Sequence, residues 1–445
     1  MTTTTAVPAP PPYVSGGLPV LGHAAEFMRR PESLLARGRA EHGDAFSLRL
    51  PVGRAVVMGG SEHAGLVFGQ PEESLSIREA YPFFRHMFTA EAYFLAEHEE
   101  YLRQREIVLP RFRSHRMADH LGVMEHEIGT FVAGLSDEGE FDLVEAMGPL
   151  VLRIAAGCFL GRDVGASISG FFSLFRDFSG GVDPLLPGWF PAPRLIRSHR
   201  ARDRLRTEVG RLLDDRRRNP LPEPDFLQQL AGARYADGSP VPDAIRISLV
   251  LMLVWVGYET TTGHLCWALI DLLRHPEELR LVDEERLRLL PDPTAPLTPA
   301  LLHRMRYLDA AAHESERLHP ITNGVVRKAR EDLVLGEALI PRGTTVVLHP
   351  GLVHSQPGTF PDSEVFRPDR FLTDPAATRG LIGFGGGLHR CLGEHFAYTE
   401  IKLILTRLLH HTDLRLLGDP PRPVAGQKNK WPRTPCRVGY VRVHG

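Results

Sequence analysis

A mainly α chain with small β-sheets, an α+β unit, is what the sequence predicts, and three observations predict it. Helical periodicity fills the middle of the chain from about residue 91 to 320. Short β-like runs, broken by glycine and proline, precede that region near residue 44 and return after residue 320. One stretch of about 30 residues, "RISLVLMLVWVGYETTTGHLCWALIDLLRH", contains no proline and is apolar on all sides, the pattern of a buried central helix.

The chain has 445 residues, 43% hydrophobic and 24% charged, an ordinary globular composition with enough apolar residues for a large core. A net charge of −2 gives no footing to a nucleic-acid binder. The cysteines, Cys158, Cys266, Cys391 and Cys436, form no CxxC pair and no zinc spacing, and a chain this long with so few fits a reducing cytoplasm.

Taken in order, "MTTTTAVPAPPPYVSGG" lacks the basic and apolar regions of a signal peptide and reads as a stiff, extended lead-in over residues 1–18. "DAFSLRLPVGRAVVMGG" supplies the first β-like runs, and "PEELRLVDEERLRLL" is an amphipathic helix. The longest uninterrupted apolar run, "VLMLVWVG" at 250–257, is far below the ~20 residues that cross a bilayer, so no membrane anchor is expected. The central helix carries "GYETTTG" in its middle. Glycine costs about 1 kcal/mol in a helix and a buried acid needs a partner, so this break in the local rules marks a functional stretch. After residue 320, "NGVVRKARED" and "LVLGEALIPRGTTVVLH" return to β pattern. The loop "FPDSEVFRPDRFL" follows, then "FGGGLHRCLGEH" and the apolar helical run "EHFAYTEIKLILTRLLHH". No internal repeat or linker divides the chain, so residues 19–445 are expected to form a single domain.

Cys391 is the residue that asks for chemistry. Three glycines, Gly385 to Gly387, let its loop turn sharply or pack closely. His389 and Arg390 precede it, and a helix N-terminus follows, both of which favour a thiolate. Cys158 and Cys266 lie in apolar helical runs and read as inert thiols.

The segment "FGGGLHRCLG" resembles the haem-ligand loop of cytochromes P450, F-x-x-G-x-[HR]-x-C-x-G, through Phe384, Gly387, His389, Cys391 and Gly393. Three further motifs resemble that family and stand in its order: "GYETT" at 257–261, "ESER" at 314–317 and "RPDRF" at 367–371. The resemblance covers nearly the whole chain and implies the P450 fold, with a long central helix over haem b (iron protoporphyrin IX).

It implies Cys391 as the axial ligand to the iron, in a loop shaped by Phe384, Gly385 and Gly393. It further implies Arg105, Arg327 and His389 as partners of the haem propionates, with a hydroxyl bond from Tyr81. Glu314, Arg317 and Arg370 become a buried ion network that fixes the cysteine loop. Gly257 makes room for dioxygen, and Glu259 with Thr260 relays protons toward it; Thr261 and Thr262 are neighbours. The implied partners are dioxygen, a separate ferredoxin with its reductase, docking near Arg379 and Arg390, and a small apolar substrate.

Within the family, "PPYVSGGLPVLGH", "AYPFFRHMF" and "RTPCRVGYVRV" look like bacterial sterol 14α-demethylases. The chain departs from that branch at two places. Glu259 stands where the branch usually has histidine, and Thr89 where it usually has glycine. The expected pocket is mostly apolar: Phe83, Phe84, Met87 and Phe88 from one segment, Leu253 and Val256 from the central helix, and Val325 and Val326 beyond residue 320. Thr322 and Asn323 add polar groups, with Lys428, Asn429 and Lys430 reaching in from the C-terminal segment. These features imply a monooxygenase that adds one oxygen atom to a bulky polyketide or terpenoid. The alternatives are a sterol 14α-demethylase and a haem-thiolate isomerase or binding protein that does not use oxygen.

Overall fold

The computed structural model describes residues 8–112, 117–161, 164, 170–183, 188–424 and 429–443. Among them are ten strands. The first four are β1 (Ala45–Leu50), β2 (Gly53–Met58), β3 (Leu75–Ser76) and β4 (Glu138–Asp142). β5 (Val325–Ala329), β6 (Leu333–Leu335), β7 (Ala338–Ile340) and β8 (Thr345–Leu348) follow the helical region, and β9 (Thr412–Leu417) and β10 (Arg437–Arg442) close the chain. The rest is mainly helical. The chain resolves into two compact units, each assembled from separated segments.

The first unit takes in Met1–Ala80, His313–Cys391 and Pro423–Lys430. Its frame is a five-stranded sheet in the order β1-β2-β8-β5-β3, antiparallel except where β2 runs parallel to β8. Val56, Met58, Val346 and Leu348 sit on neighbouring central strands and are fully buried, so the sheet centre is apolar core. The proline-rich lead-in is docked on this sheet: Ser47 N–H donates to Pro12 O at 2.7 Å, and the Ser47 hydroxyl to Pro11 O at 2.6 Å. Three helices in this region, Ala24–Arg29, Pro31–His42 and Ser61–Phe68, lie outside the range where helical periodicity dominates the sequence. They are short, and two of them are only weakly amphipathic, so tertiary packing and not pattern sets them.

The second unit takes in Tyr81–Ala312, Leu392–Arg422 and Trp431–Gly445. Its axis is the central helix, Asp243–Arg274, which packs against the helices Leu143–Phe159, Pro193–Arg218 and Glu394–His411. By length and composition this helix could cross a membrane, a property that a count of uninterrupted apolar residues misses. Its most apolar window is nonetheless 61% buried inside the protein, as befits a core helix. A three-stranded antiparallel sheet, β4-β10-β9, completes the unit. The sequence "EGEFD" of β4 carries no strand signal; β10 templates it, with Phe141 opposite Val438.

Candidate active site

In the first unit, the cysteine loop is shaped by close contacts. Gly387 has φ +63°, and a side chain there would bring its Cβ to 2.4 Å from the main-chain oxygen of Phe68. A Cβ on Gly386 would meet the Phe68 ring at the same distance, 2.4 Å. At Gly387 no other residue fits, and at Gly386 a side chain would have to displace the Phe68 ring. Gly385 N–H donates to Ile382 O at 2.8 Å and Cys391 N–H to Phe384 O at 2.9 Å, which closes the loop on itself. Cys391 is exposed, whereas Cys158, Cys266 and Cys436 are buried, and none of the four is in a disulfide. Burial pushes the thiol of Cys266 well up and that of Cys436 to about 11, so both stay protonated and inert. Gly393 caps the helix Glu394–His411, which begins three residues after Cys391.

The structure brings Glu314, Arg317 and Arg370 together, each 4% exposed or less. Arg317 holds the Glu314 carboxylate with two bonds of 2.8 Å, and Arg370 Nε adds a third at 3.2 Å. The remaining donors of the two arginines go to main-chain oxygens of His354, Ser363, Val365, Pro361 and Asp362, so the charges are fully used. The link onward to the cysteine loop is His354, which the sequence reading missed. Arg317 donates to His354 O at 3.2 Å, and His354 Nε2 accepts the Ile382 N–H at 2.9 Å, two residues before Phe384. Burial, together with the Arg317 charge, holds this imidazole down to about 3, so it stays neutral and able to accept. "GLVHSQP" gives no pattern from which that role could be read.

His389 Nε2 lies 3.0 Å from the Glu72 carboxylate, a partner distant in sequence. Burial works against the charge on Glu72, yet hydrogen bonds from His389, the Ile77 N–H and the Ser76 hydroxyl outweigh it and hold the carboxyl at about 2. Arg327, on β5, is 5% exposed and donates to Val326 O at 2.9 Å. Val325 and Val326 are half-buried on the same strand. Just before it, the Thr322 hydroxyl is buried without a hydrogen-bond partner among the described residues. Asn323 is half-buried beside it. Lys430 lies next to this segment, its N–H on Ile321 O at 3.0 Å and its ammonium paired with Glu32. Asn429 is described too, and Lys428 lies outside the described residues.

In the second unit, the central helix presents one narrow accessible stripe. From Ser248 to Leu272 every residue is buried except Leu253, Val256, Gly257, Glu259 and Thr260. Leu253, Val256, Gly257 and Thr260 follow i, i+3, i+4, i+7 and therefore share a face, with Glu259 at its edge. Gly257 packs only loosely, with Ala155 and Phe159 3.6 and 3.8 Å from where its Cβ would be. The Thr260 hydroxyl donates to Val256 O at 2.8 Å, back into its own helix.

An aromatic platform meets the central helix at Trp255. Tyr81 stacks on Phe84 at 5.9 Å, and Phe83 and Phe84 lie 4.6 Å apart. Phe84 meets Trp255 edge-on at 5.4 Å, and Phe88 packs on Trp255 and Phe178. Met87 and Phe88 are fully buried beneath it. Trp255, absent from the sequence-based pocket, is its keystone, with its indole N–H on the Ser179 hydroxyl at 2.8 Å.

The donors suit a haem-thiolate group. A soft thiol is the one cysteine of the four within reach of solvent. The Arg105 Nε is buried without a hydrogen-bond partner among the described residues, a cationic donor in want of an anion such as a propionate. Among the described residues no cluster of histidine, cysteine and carboxylate suggests a metal held by protein side chains alone.

Comparison with known proteins agrees with this geometry. The chain is 30% identical to a sterol 14α-demethylase from Mycolicibacterium vanbaalenii, over 97% of this chain and 98% of that one. It is 27% identical to the lanosterol 14-alpha demethylase of Bos taurus, over 92% and 83%. The solved structure of retinoic acid-bound cyanobacterial CYP120A1 superposes with a TM-score of 0.88 at 26% identity, covering 98% of this chain and all of that one. The family model for cytochrome P450 matches residues 10–435, and the chain belongs to the cytochrome P450 family.

Proposed function

We propose that this P450 monooxygenase inserts one oxygen atom from O2 into a C–H or C=C bond of a bulky, mainly apolar natural product, a polyketide or terpenoid, as a tailoring step of secondary metabolism. The observation that carries this reading is an acid followed by a hydroxyl, Glu259–Thr260, on the accessible stripe of an otherwise buried helix. The chemistry supplied by haem b when bound is reductive activation of dioxygen, which a thiolate ligand favours. Cys391 is the residue to hold the iron, and Arg105 and Arg327 the cations to hold the propionates. Tyr81 adds a hydroxyl bond, and His389 acts from its pair with Glu72.

Thr260 holds its proton on Val256 O. Turning the hydroxyl out of that bond presents the proton on the accessible face, and the Glu259 carboxyl reloads it. Placed donors of this kind contribute roughly 10²–10⁴-fold. Gly257 keeps the face low enough for a small gas molecule. Leu253, Val256, Phe83 and Phe84 supply apolar contact for a large ligand. Electrons come from a redox partner, in this reading a ferredoxin and its reductase docking near Arg379 and Arg390. Residues 19–445 act as one functional domain in the cytoplasm.

Sterol 14α-demethylation is the second reading, favoured by the named activity of relatives that match almost end to end. Glu259 and Thr89 are the departures that weigh against it. A haem protein that does not use oxygen would need no Glu259–Thr260 pair. Titration of the ferric protein with lanosterol-type sterols and, in parallel, with macrocyclic polyketides and terpenoids separates these readings. A saturable spin-state shift with a macrocycle or terpenoid and none with sterols is the expected result; a shift with sterols alone overturns it.

A further inference from the structure

Trp431 is used by nothing described so far. Its indole Nε1–H donates to the main-chain carbonyl of Glu259 at 2.7 Å. Its ring stands edge-on to Tyr258 (5.8 Å, 90°), and Tyr258 stands edge-on to Phe172 (5.9 Å, 85°). The tryptophan is therefore wedged by rings and aimed by one hydrogen bond.

That bond is unusual in its target. In an α-helix the carbonyl of residue 259 lies in position to accept the N–H of residue 263, so the indole takes the second lone pair. One turn earlier the carbonyl of Val256 carries a second donor as well, the Thr260 hydroxyl. The helix is thus gripped at both ends of the segment 256–260: from inside by Thr260 and from outside by Trp431. The peptide that Trp431 grips joins Glu259 to Thr260. Its orientation sets the direction in which both side chains leave the helix.

We infer that Trp431 is a positioning residue for the Glu259–Thr260 pair. It holds the peptide between them, and so the geometry of proton delivery, through a bond that a side chain of equal bulk without an N–H does not make. This rests on the reading that Glu259 and Thr260 carry protons.

The test uses the haem-loaded protein with its reductant and O2, and needs no substrate. The fraction of reducing equivalents released as hydrogen peroxide is measured against pH, in H2O and D2O. The chains compared are wild type, Trp431→Phe, Trp431→Gln, Glu259→Gln and the Trp431→Phe/Glu259→Gln double variant. Phe keeps a ring and loses the donor; Gln loses the ring and keeps an N–H at similar reach. The Trp431→Phe profile is expected to move in the same direction as that of Glu259→Gln, by about fivefold in peroxide partition, the worth of one ordinary hydrogen bond. Trp431→Gln is expected to stay near wild type, and the double variant to match Glu259→Gln alone, because the two act in series. If Trp431→Phe matches wild type while Glu259→Gln moves, or if the two effects simply add, the inference fails. If Glu259→Gln itself matches wild type, the proton-carrying reading fails instead. If Phe and Gln variants shift alike, Trp431 acts only by packing and the inference fails. The carbon monoxide spectrum and thermal midpoint verify that each chain is folded; Trp431→Met replaces the Phe variant if that one does not hold haem.

Discussion

The cysteine loop and the stripe of the central helix are positioned by opposite means. Around the loop, buried ionisable groups do the holding: Glu314 receives three guanidinium bonds, neutral His354 accepts the Ile382 N–H, and Glu72 takes up His389. Along the stripe, an apolar helix is wedged by rings and a few neutral hydrogen bonds, with Trp255 and Trp431 as the anchors. If Cys391 holds the iron as proposed, it must return to one place, and paired buried charges over-determine it. The proton-moving role proposed for the stripe needs a hydroxyl that can turn, and a single neutral bond allows that.

The largest expected effect lies on the charged side. Arg317→Leu leaves the fully buried Glu314 without its bidentate partner, and unfolding free energy should fall by about 3–5 kcal/mol, read from a urea transition. An unchanged midpoint would erase the contrast. On the helical side, Thr260→Ala should leave stability nearly unchanged. It should lower coupled turnover by up to the roughly 10²–10⁴-fold of a placed proton donor, with reductant lost to peroxide instead. If coupling persists, the stripe is a binding face only.

The smallest effect is the sharpest in sign. His354 has its pKa depressed to about 3 from an ordinary 6.5, so its stabilisation is present above about 6.5 and is lost as pH falls toward 3. Glu72, held at about 2 against an ordinary 4.5, adds a loss between those values. Acid therefore loosens the cysteine loop. Glu400 has the reverse sign. This side chain, on the helix Glu394–His411, is fully buried with no hydrogen-bond partner for either oxygen among the described residues, and burial raises its pKa well above 4.5. The raised value gives stability that is present below about 4.5 and lost as pH rises. Protection against hydrogen exchange, with the intrinsic pH dependence of amide exchange divided out, should thus fall on acidification at residues 382–391 and on alkalinisation along 396–408. Glu400→Gln should abolish only the second trend, and the same trend in both segments would show that the two do not differ in this way.

The same contrast decides what was legible in the sequence. "FGGGLHRCLG", "ESER" and "RPDRF" stand out because charged and glycine residues at fixed spacings have few other uses in an apolar chain. The central helix was legible as well, over 243–274 against an expected 246–275, because length and apolarity are enough to mark it. His354, Glu72, Trp255 and Trp431 were not. Each acts through a partner distant in sequence, such as Glu72 with His389 across 317 residues, and one residue's type carries no trace of that. The strand β4 was missed for the same reason: it is a strand only because β10 lies beside it.

Cys391 is the point on which the account turns, and it can be examined directly without knowing the substrate. Wild type and Cys391→Ser are each loaded with haem, reduced and exposed to carbon monoxide, and the Soret band is recorded. The account predicts the strongly red-shifted band of a thiolate-ligated haem in the wild type and its loss in Cys391→Ser, in a chain that stays folded. An identical red-shifted band in both proteins, or none in the wild type, would contradict it.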